Sequence, residues 1–231
     1  MARNRKSGER AMQHSRMKAG DESSRELLLQ ATRELLIERG ANNVSFKDIG
    51  ERSGVNAALI GYYFKSKSGL MLDVLRNGLA LGMSRMVLIP DLDFSPQDKL
   101  RCFVEIVVDV FSTYPYINQL MRWLIAQKPE VYGPLIATDL AQSSGRAVDR
   151  VLAEGIAKGV FRPVDPMLFY VQLTGACDQL FYGWHQLQLV YGVDKITDDV
   201  KSTFVRNLLE TLLNGLMLDH TRDEECQRIG D

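Results

Sequence analysis

Residues 45–67 read SFKDIGERSGVNAALIGYYFKSK, and this stretch predicts two short helices joined by a tight turn. Ser45 followed by Asp48 has the spacing of a capping box, in which each residue satisfies a free backbone N–H of the other at a helix start. Gly54 follows the first helix, where a sharp turn needs the positive φ that glycine adopts without steric cost. Asn56 is a favourable N-cap for the second helix. The stretch therefore predicts a helix-turn-helix.

The second helix of the pair is predicted over residues 57–63. Its first residues, Ala57 and Ala58, are small enough to let the backbone approach a groove wall, and Leu59 is expected to face the first helix. In the first helix, the residues at helical spacing that face inward are Phe46, Ile49 and Gly50. A glycine-containing turn of this length between two helices is the geometry that lays a recognition helix in the major groove of DNA.

The segments on either side make a resemblance specific. A helix predicted over residues 23–39 ends at Gly40, and the close of the motif reads YYFKSKSGL over residues 62–70. The predicted inward stripe of that first helix is Leu28, Ala31, Thr32, Leu35 and Leu36. Residues 23–70 resemble the DNA-binding domain of the TetR family of bacterial transcriptional regulators. Two positions depart from the family pattern, because Gly61 stands where many members have tyrosine and Ser68 where glutamate is usual.

The resemblance implies a set of contacts with double-stranded DNA. Ser45 and Lys47 would open the supporting helix at the phosphate backbone, and Lys67 would meet a phosphate at a helix N-terminus. The residues placed on the recognition helix are Asn56, Ala57, Ala58, Tyr62 and Tyr63. The two tyrosines have packing within the domain as the alternative. Because this helix carries no arginine, we expect most of the affinity to come from phosphate contacts and to fall steeply with salt.

Composition and charge fit a protein that presents one end to DNA. The 231 residues are 45% hydrophobic and 25% charged, as in an ordinary globular protein. Residues 1–67 carry 13 basic and 8 acidic side chains within a chain whose net charge is −1. Residues 1–20 supply that excess, with 6 basic against 1 acidic residue, and are either a solvated tail or an arm that reaches DNA.

No apolar run approaches the roughly 20 residues of a membrane span. Three scattered cysteines fit reduced thiols in a cytoplasm.

The rest of the chain predicts further helices and no strand, because sustained period-2 alternation is missing. Ser95 and Pro96 open a helix whose predicted core face is Leu100, Phe103, Val104, Val107 and Phe111. The other predicted helices cover residues 67–88, 116–127, 134–158, 166–191 and 195–218. The prolines of GVFRPVDP force a turn, and Gly192 ends the helix that follows it. The fold class is therefore all-α.

The last two long helices predict a homodimer. The stripe of the final helix is too broad for one intramolecular neighbour, and glycines in the preceding helix permit close helix approach. The predicted interface residues are Gly175, Gly183, Phe204, Leu208, Leu212 and Leu216. The alternative is the core of a monomer. The resemblance favours the dimer, since members of the family dimerise through the last two long helices.

An enzyme is not indicated, and no cofactor or metal site is predicted. The three histidines are far apart, and no phosphate-binding loop or nucleophile motif is present. The resemblance implies instead a pocket for a small effector in the C-terminal body. The candidate lining residues are Phe103, Met121, Arg122, Trp123, Asp178, Tyr182 and His185. His185 has the alternative of an ordinary core or interface residue.

These observations predict four segments. Residues 1–22 form a basic arm, residues 23–68 the three-helix DNA-binding domain, residues 69–220 a helical effector-binding and dimerisation domain, and residues 221–231 a polar tail. The expected function is that of a cytoplasmic bacterial repressor that binds a palindromic operator as a homodimer and is released by a small, largely apolar effector. Two alternatives are a DNA-binding architectural protein without an effector, and a helical enzyme.

Overall fold

The computed structural model describes residues 23–217, apart from the side chains of residues 140 and 141. The predicted N-terminal arm and polar C-terminal tail lie outside the described residues. The first of two compact units comprises the described residues up to Asn77 together with Tyr116–Tyr132. The second comprises Gly78–Pro115 and the described residues from Gly133 onward. The first unit therefore extends past the predicted boundary at residue 68 and takes in a segment from the middle of the chain.

Eleven α-helices make up most of the described chain. They are α1 (residues 23–39), α2 (Phe46–Ser53), α3 (Ala58–Phe64), α4 (Lys67–Leu88), α5 (Pro96–Thr113), α6 (Ile117–Gln127), α7 (Pro129–Ile136), α8 (Gln142–Ala157), α9 (Pro166–Phe181), α10 (Trp184–Tyr191) and α11 (Asp198–Leu216). Short 3₁₀ turns cover Ala41–Asn43 and Ile89–Asp91, and a π-helical segment covers Ala137–Ala141. Within residues 23–217 there is no strand, so the all-α prediction is confirmed.

The core of the first unit forms around α1. All five residues of its predicted inward stripe are buried, and Ile49 of α2 is buried with them. In α3 the buried residues are Ile60 and Phe64, whereas Leu59, predicted to face inward, is only half-buried. The helix α6 contributes Leu120 and Leu124, both fully buried, and packs against the 3₁₀ turn that follows α1.

Surface ion pairs connect α2 to α1. The Arg52 guanidinium lies 2.8 Å from Glu38 and 3.3 Å from Glu34. The hydrogen bond from Arg52 holds the pKa of the Glu38 carboxyl below its usual value. Exposed pairs of this kind contribute little each to stability, so the packing of the two helices depends mainly on their buried apolar residues.

The second unit is arranged around α5, which packs against α8, α9 and α11. Its predicted core face is confirmed, since all five residues are buried. Lys99 is 5% exposed on the same helix. Its ammonium group donates to the Pro90 carbonyl at 2.9 Å and to the Glu154 carboxylate at 2.8 Å. This buried cation is therefore paired on both sides.

Two helices predicted as regular and continuous differ from the prediction. The helix predicted over residues 134–158 begins earlier, at Pro129, and continues through a π-helical segment, Ala137–Ala141, that is flanked by αR residues on both sides. The helix predicted over residues 166–191 divides at Gly183, where the backbone N–H groups of Tyr182 and Gly183 both donate to the Asp178 carbonyl at 2.9 and 3.1 Å. Gly192 ends α10 with a φ of 67°, as predicted.

Candidate nucleic-acid interface

The N-terminus of α2 is held by a reciprocal cap. The Asp48 backbone N–H donates to the Ser45 hydroxyl at 3.2 Å, and the Ser45 N–H donates to the Asp48 carboxylate at 2.9 Å. The hydrogen bonds from Ser45 lower the pKa of the Asp48 carboxyl, and the nearby charge of Arg39 adds to this effect. The predicted capping box is therefore confirmed, and it fixes the point where α2 begins.

The turn between α2 and α3 depends on two glycines. Gly54 has φ 69° and ψ 9°, in the left-handed region predicted for it. A Cβ on Gly50 would lie 3.1 Å from the Cβ of Ala57 and 3.2 Å from the Val55 carbonyl oxygen. Both distances are shorter than usual Cβ contacts, so a side chain at position 50 would press against the turn that leads into α3.

The recognition helix α3 begins one residue later than predicted. The cap position is therefore Ala57, which makes no side-chain cap, and not Asn56 as predicted. The Asn56 side-chain oxygen accepts a hydrogen bond from the Ala58 N–H at 2.9 Å in the turn before the helix. The predicted contact residues Asn56 and Ala58 are exposed, and Ala57 is half-buried. Because this hydrogen bond uses only the oxygen of the Asn56 side chain, its amide NH₂ group can donate to other partners.

One face of α3 is open to solvent. Ala58, Gly61 and Tyr62 recur at i, i+3 and i+4 spacing, and Tyr62 is 62% exposed. A Cβ on Gly61 would meet no atom within 4 Å. Tyr63 is half-buried, and its ring makes an edge contact with the Tyr62 ring at 5.0 Å between centroids. Apart from the Tyr62 ring, the exposed face of α3 therefore carries only small residues.

The turn from α3 to α4 is tight and strained. Lys65 has φ 66°, a left-handed value that side-chain-bearing residues rarely adopt. The Ser66 N–H donates back to the Phe64 carbonyl at 2.7 Å, which makes Lys65 the centre of a three-residue γ-turn. The Ser66 hydroxyl then accepts from the Gly69 N–H at 3.0 Å and caps α4. This arrangement was not predicted, and the Ser-Lys-Ser-Gly sequence at residues 66–69 is the signal that could have indicated it.

Lys67, predicted to meet a phosphate, is half-buried at the start of α4. Its ammonium nitrogen lies 3.4 Å from the Ala41 carbonyl oxygen and 5.2 Å from the centre of the Trp123 ring. Burial lowers the pKa of the Lys67 amine, while the charge of Asp48 acts in the opposite direction. The other predicted backbone contacts, Ser45 and Lys47, are exposed, and Lys47 lies 3.7 Å from Glu51 of the same helix.

The residues predicted to line an effector pocket are distributed over both units. Met121, Arg122 and Trp123 belong to α6 in the first unit. The others lie in the second unit, where Phe103 is fully buried, Tyr182 is 38% exposed, and the His185 ring lies against Trp184 at 4.0 Å between centroids. Asp178 is in α9. The structure thus does not gather these seven residues into one cavity within a unit.

The second unit instead contains a cavity of about 590 Å³ along α9 and α11. Its lining includes Leu168, Gln172, Ala176, Leu208, Leu212 and Leu216. Three predicted dimer residues, Leu208, Leu212 and Leu216, are therefore buried in a cavity wall of the protomer. Phe204 is half-buried and makes an edge contact with the Phe181 ring at 6.1 Å. Gly175 is exposed, and Gly183 is half-buried at the break after α9.

Two family descriptions match this chain. Residues 28–74 match the bacterial regulatory proteins of the tetR family, and residues 93–222 match the tetracyclin repressor-like C-terminal domain. The chain belongs to the TetR family. This TetR-family chain is therefore a DNA-binding transcriptional regulator, and the resemblance noted in the sequence is confirmed.

Two transcriptional regulators are similar to this chain in sequence at modest identity. The transcriptional regulator RutR of Escherichia coli K12 is 21% identical over 199 residues, which cover 84% of this chain and 91% of RutR. BetI of Agrobacterium fabrum is 27% identical over 162 residues, which cover 66% of this chain and 78% of BetI.

Two solved structures of regulators have the same fold as this chain. The ketosteroid transcriptional regulator KstR2 of Mycobacterium tuberculosis has a TM-score of 0.63 at 21% identity, with 84% of this chain and 95% of that chain covered. The fatty acid degradation regulator FadR of Bacillus halodurans has a TM-score of 0.63 at 18% identity, with 83% and 95% covered. No helix among the described residues is long and apolar enough to cross a membrane.

Proposed function

We propose that this TetR-family regulator is a repressor that binds a palindromic operator as a homodimer in the bacterial cytoplasm and is released by a small, largely apolar effector. The observation that carries the DNA-binding part is the open face of α3, held by the Ser45 cap and the Gly54 turn. Two such helices, one per subunit, would enter successive major grooves about 34–36 Å apart.

The proposed DNA contacts follow the exposure of the side chains. Tyr62 and Ala58 lie on the open face of α3, and Ser45 and Lys47 are exposed at the start of α2. Because α3 has no arginine for bidentate guanine contact, base reading would come from the Asn56 amide and from alanine contacts with thymine methyl groups. Tyr63 and Ala57 are both half-buried, so they would make smaller contacts with DNA at the margins of the α3 face. Lys67 would reach a phosphate.

The effector is proposed to bind in the cavity along α9 and α11. A volume of about 590 Å³ lies within the range of small-molecule sites. Its walls include leucine, phenylalanine, valine and alanine side chains, and its polar lining residues are Arg162, Asp165, Gln172 and Thr211. The names of two proteins of similar fold, a ketosteroid regulator and a fatty acid degradation regulator, point to apolar ligands for those proteins. A ligand of that class suits the walls of this cavity as well.

The experiment that tests the DNA-binding proposal is a titration of the purified protein with the intergenic DNA upstream of its own gene. The double variant Tyr62→Ala/Lys67→Ala is compared with the wild type at two salt concentrations, and the footprint is examined for two-fold symmetry. We expect a symmetric footprint, affinity that falls steeply with salt, and at least a tenfold loss in the double variant, because a side chain on the exposed α3 face and one phosphate contact are removed.

Tyr191→Ala is the matched control, because Tyr191 is 75% exposed in the second unit. Its affinity should equal that of the wild type. If the protein binds DNA regardless of its sequence, and the Tyr62→Ala/Lys67→Ala variant binds equally well, the proposal would be contradicted. That result would favour an architectural protein.

A further inference from the structure

Lys67 has a partner that the DNA-binding role does not explain. Its ammonium nitrogen lies 5.2 Å from the centre of the Trp123 ring, within the distance at which a cation is attracted to an indole face. Trp123 is on α6, far from α4 in sequence but in the same compact unit. Lys67, which is expected to contact a phosphate, therefore also makes a cation–π contact within the protein.

The helix that carries the Trp123 indole is packed into the first unit. The Gln119 side-chain oxygen accepts a hydrogen bond from the Ala41 N–H at 3.2 Å. A Cβ on Gly40 would lie 2.9 Å from the Gln119 amide nitrogen, so the two segments are in close contact. Leu120 and Leu124 of α6 are fully buried. The helix is thus attached to the turn after α1 by a hydrogen bond and by apolar packing.

The same turn supplies the second partner of the lysine. The Ala41 carbonyl oxygen lies 3.4 Å from the ammonium nitrogen, so Lys67 is placed between the turn and the indole. Lys67 is half-buried there, and this partial loss of water is what lowers the pKa of its amine. A phosphate would have to compete with the indole face and the carbonyl for one ammonium group.

We propose that Trp123 is a positioning residue that holds the Lys67 ammonium group back from DNA, so that DNA binding exchanges Lys67 from the indole face to a phosphate. This inference rests on the proposed DNA-binding function. It assigns Trp123 a place in the DNA-binding unit.

The test is a double-mutant cycle of Trp123→Leu and Lys67→Met. The probe is a duplex selected by the wild-type protein from a randomised pool, and affinity is measured by fluorescence anisotropy over a range of salt concentrations. We expect Trp123→Leu to bind about 2- to 5-fold more tightly than the wild type, which is the strength of an exposed cation–π contact expressed as an affinity ratio. Lys67→Met should bind more weakly, with a salt slope reduced by about 0.9.

The decisive comparison is the effect of Trp123→Leu in the two backgrounds. It should be absent when position 67 is methionine, because no cation is left to release. Trp123→Phe should give a smaller gain, since phenylalanine attracts cations less strongly and keeps the packing of α6. Trp184→Leu, in the second unit, is the control and should leave affinity unchanged. Weaker or unchanged binding by Trp123→Leu, or an equal effect in both backgrounds, would overturn the inference.

A spectroscopic measurement separates exchange from a general packing role. The chain has two tryptophans, so Trp184→Phe leaves Trp123 as the single indole emitter. DNA should change its emission when Lys67 is present and not in Trp184→Phe/Lys67→Met. Emission that DNA leaves unchanged in both proteins would contradict the exchange. Failure of the wild type to select any duplex would overturn the proposed function itself, and with it this inference.

Discussion

The identity of residue 69 is restricted to glycine by a neighbouring backbone atom and not by a side chain. A Cβ at this position would lie 2.1 Å from the Phe64 carbonyl oxygen, far inside any allowed contact. Gly69 is in the first turn of α4, and the carbonyl belongs to the last residue of α3. The glycine therefore permits the close join between the recognition helix and α4.

We predict that Gly69→Ala lowers the free energy of unfolding of the first unit by about 1–3 kcal/mol, the usual cost of overpacking. This loss would occur although alanine normally favours a helix by about 0.5–1 kcal/mol over glycine. Gly145→Ala is the matched control, because a Cβ on that helical glycine meets nothing within 4 Å, and it should be neutral or stabilising. Urea unfolding followed by circular dichroism measures both, and equal effects of the two changes would contradict the argument.

Sequence reasoning succeeded where the cause lies within a few residues. The Ser45 cap and the positive φ of Gly54 were predicted correctly because both are set by local hydrogen bonding and sterics. The requirement at Gly69 was missed, since it depends on the unusual φ of Lys65 four residues earlier. The contact of Trp123 with Lys67 was missed because nothing local brings α6 to α4.

At the scale of elements, periodicity predicted which segments are helical better than where they break. The stripe of α5 was predicted correctly because its faces differ clearly in polarity. The break at Gly183 and the π-helical segment at residues 137–141 were missed, because a glycine or a proline inside an apolar pattern is compatible with a regular, continuous helix. Leu208, Leu212 and Leu216 of α11 are buried within the protomer. An apolar stripe on a helix does not by itself show whether it packs within one protomer or against a second copy.

The cavity between α9 and α11 gives a prediction at this scale. Ala176 lines it, and Ala176→Phe would fill part of its volume of about 590 Å³. We expect this variant to bind operator DNA like the wild type but to lose the release of DNA by an apolar effector, because the ligand is excluded. The measurement is displacement of labelled DNA, with a fatty acid and a ketosteroid as probes.

Ala157→Phe is a suitable control, because Ala157 is exposed at the end of α8. It should respond to the effector as the wild type does. An undiminished response in Ala176→Phe would place the effector elsewhere, and a wild type that ignores every apolar probe would favour the architectural alternative.

At the scale of the whole molecule, the exposed face of α9 supports the proposed dimer. Gly175 lies at its centre, with Leu168 53% exposed, Val171 55% exposed and Tyr182 38% exposed around it. A Cβ on Gly175 would meet nothing within 4 Å in the protomer. A glycine flanked by exposed apolar side chains allows two copies of a helix to cross closely, as a two-fold interface requires.

We predict that Gly175→Arg converts a dimer into a folded monomer, since the protomer has room for the side chain and a close crossing does not. Sedimentation velocity would show the mass, and circular dichroism the helix content. Gly145→Arg introduces the same side chain at another helical glycine with open space and should remain dimeric. A dimeric Gly175→Arg variant would place the interface elsewhere.

The contact between Gln119 and Ala41 has a consequence for synthesis on the ribosome. The two residues are 78 positions apart, so the helix-turn-helix is made well before the helix that completes its core. At about 5–20 residues per second, the nascent chain would wait roughly 4–16 s for α6 to be synthesised. During that interval the apolar surface reserved for Leu120 and Leu124 would be open to chaperones, and a fragment ending after α4 would keep that exposure permanently.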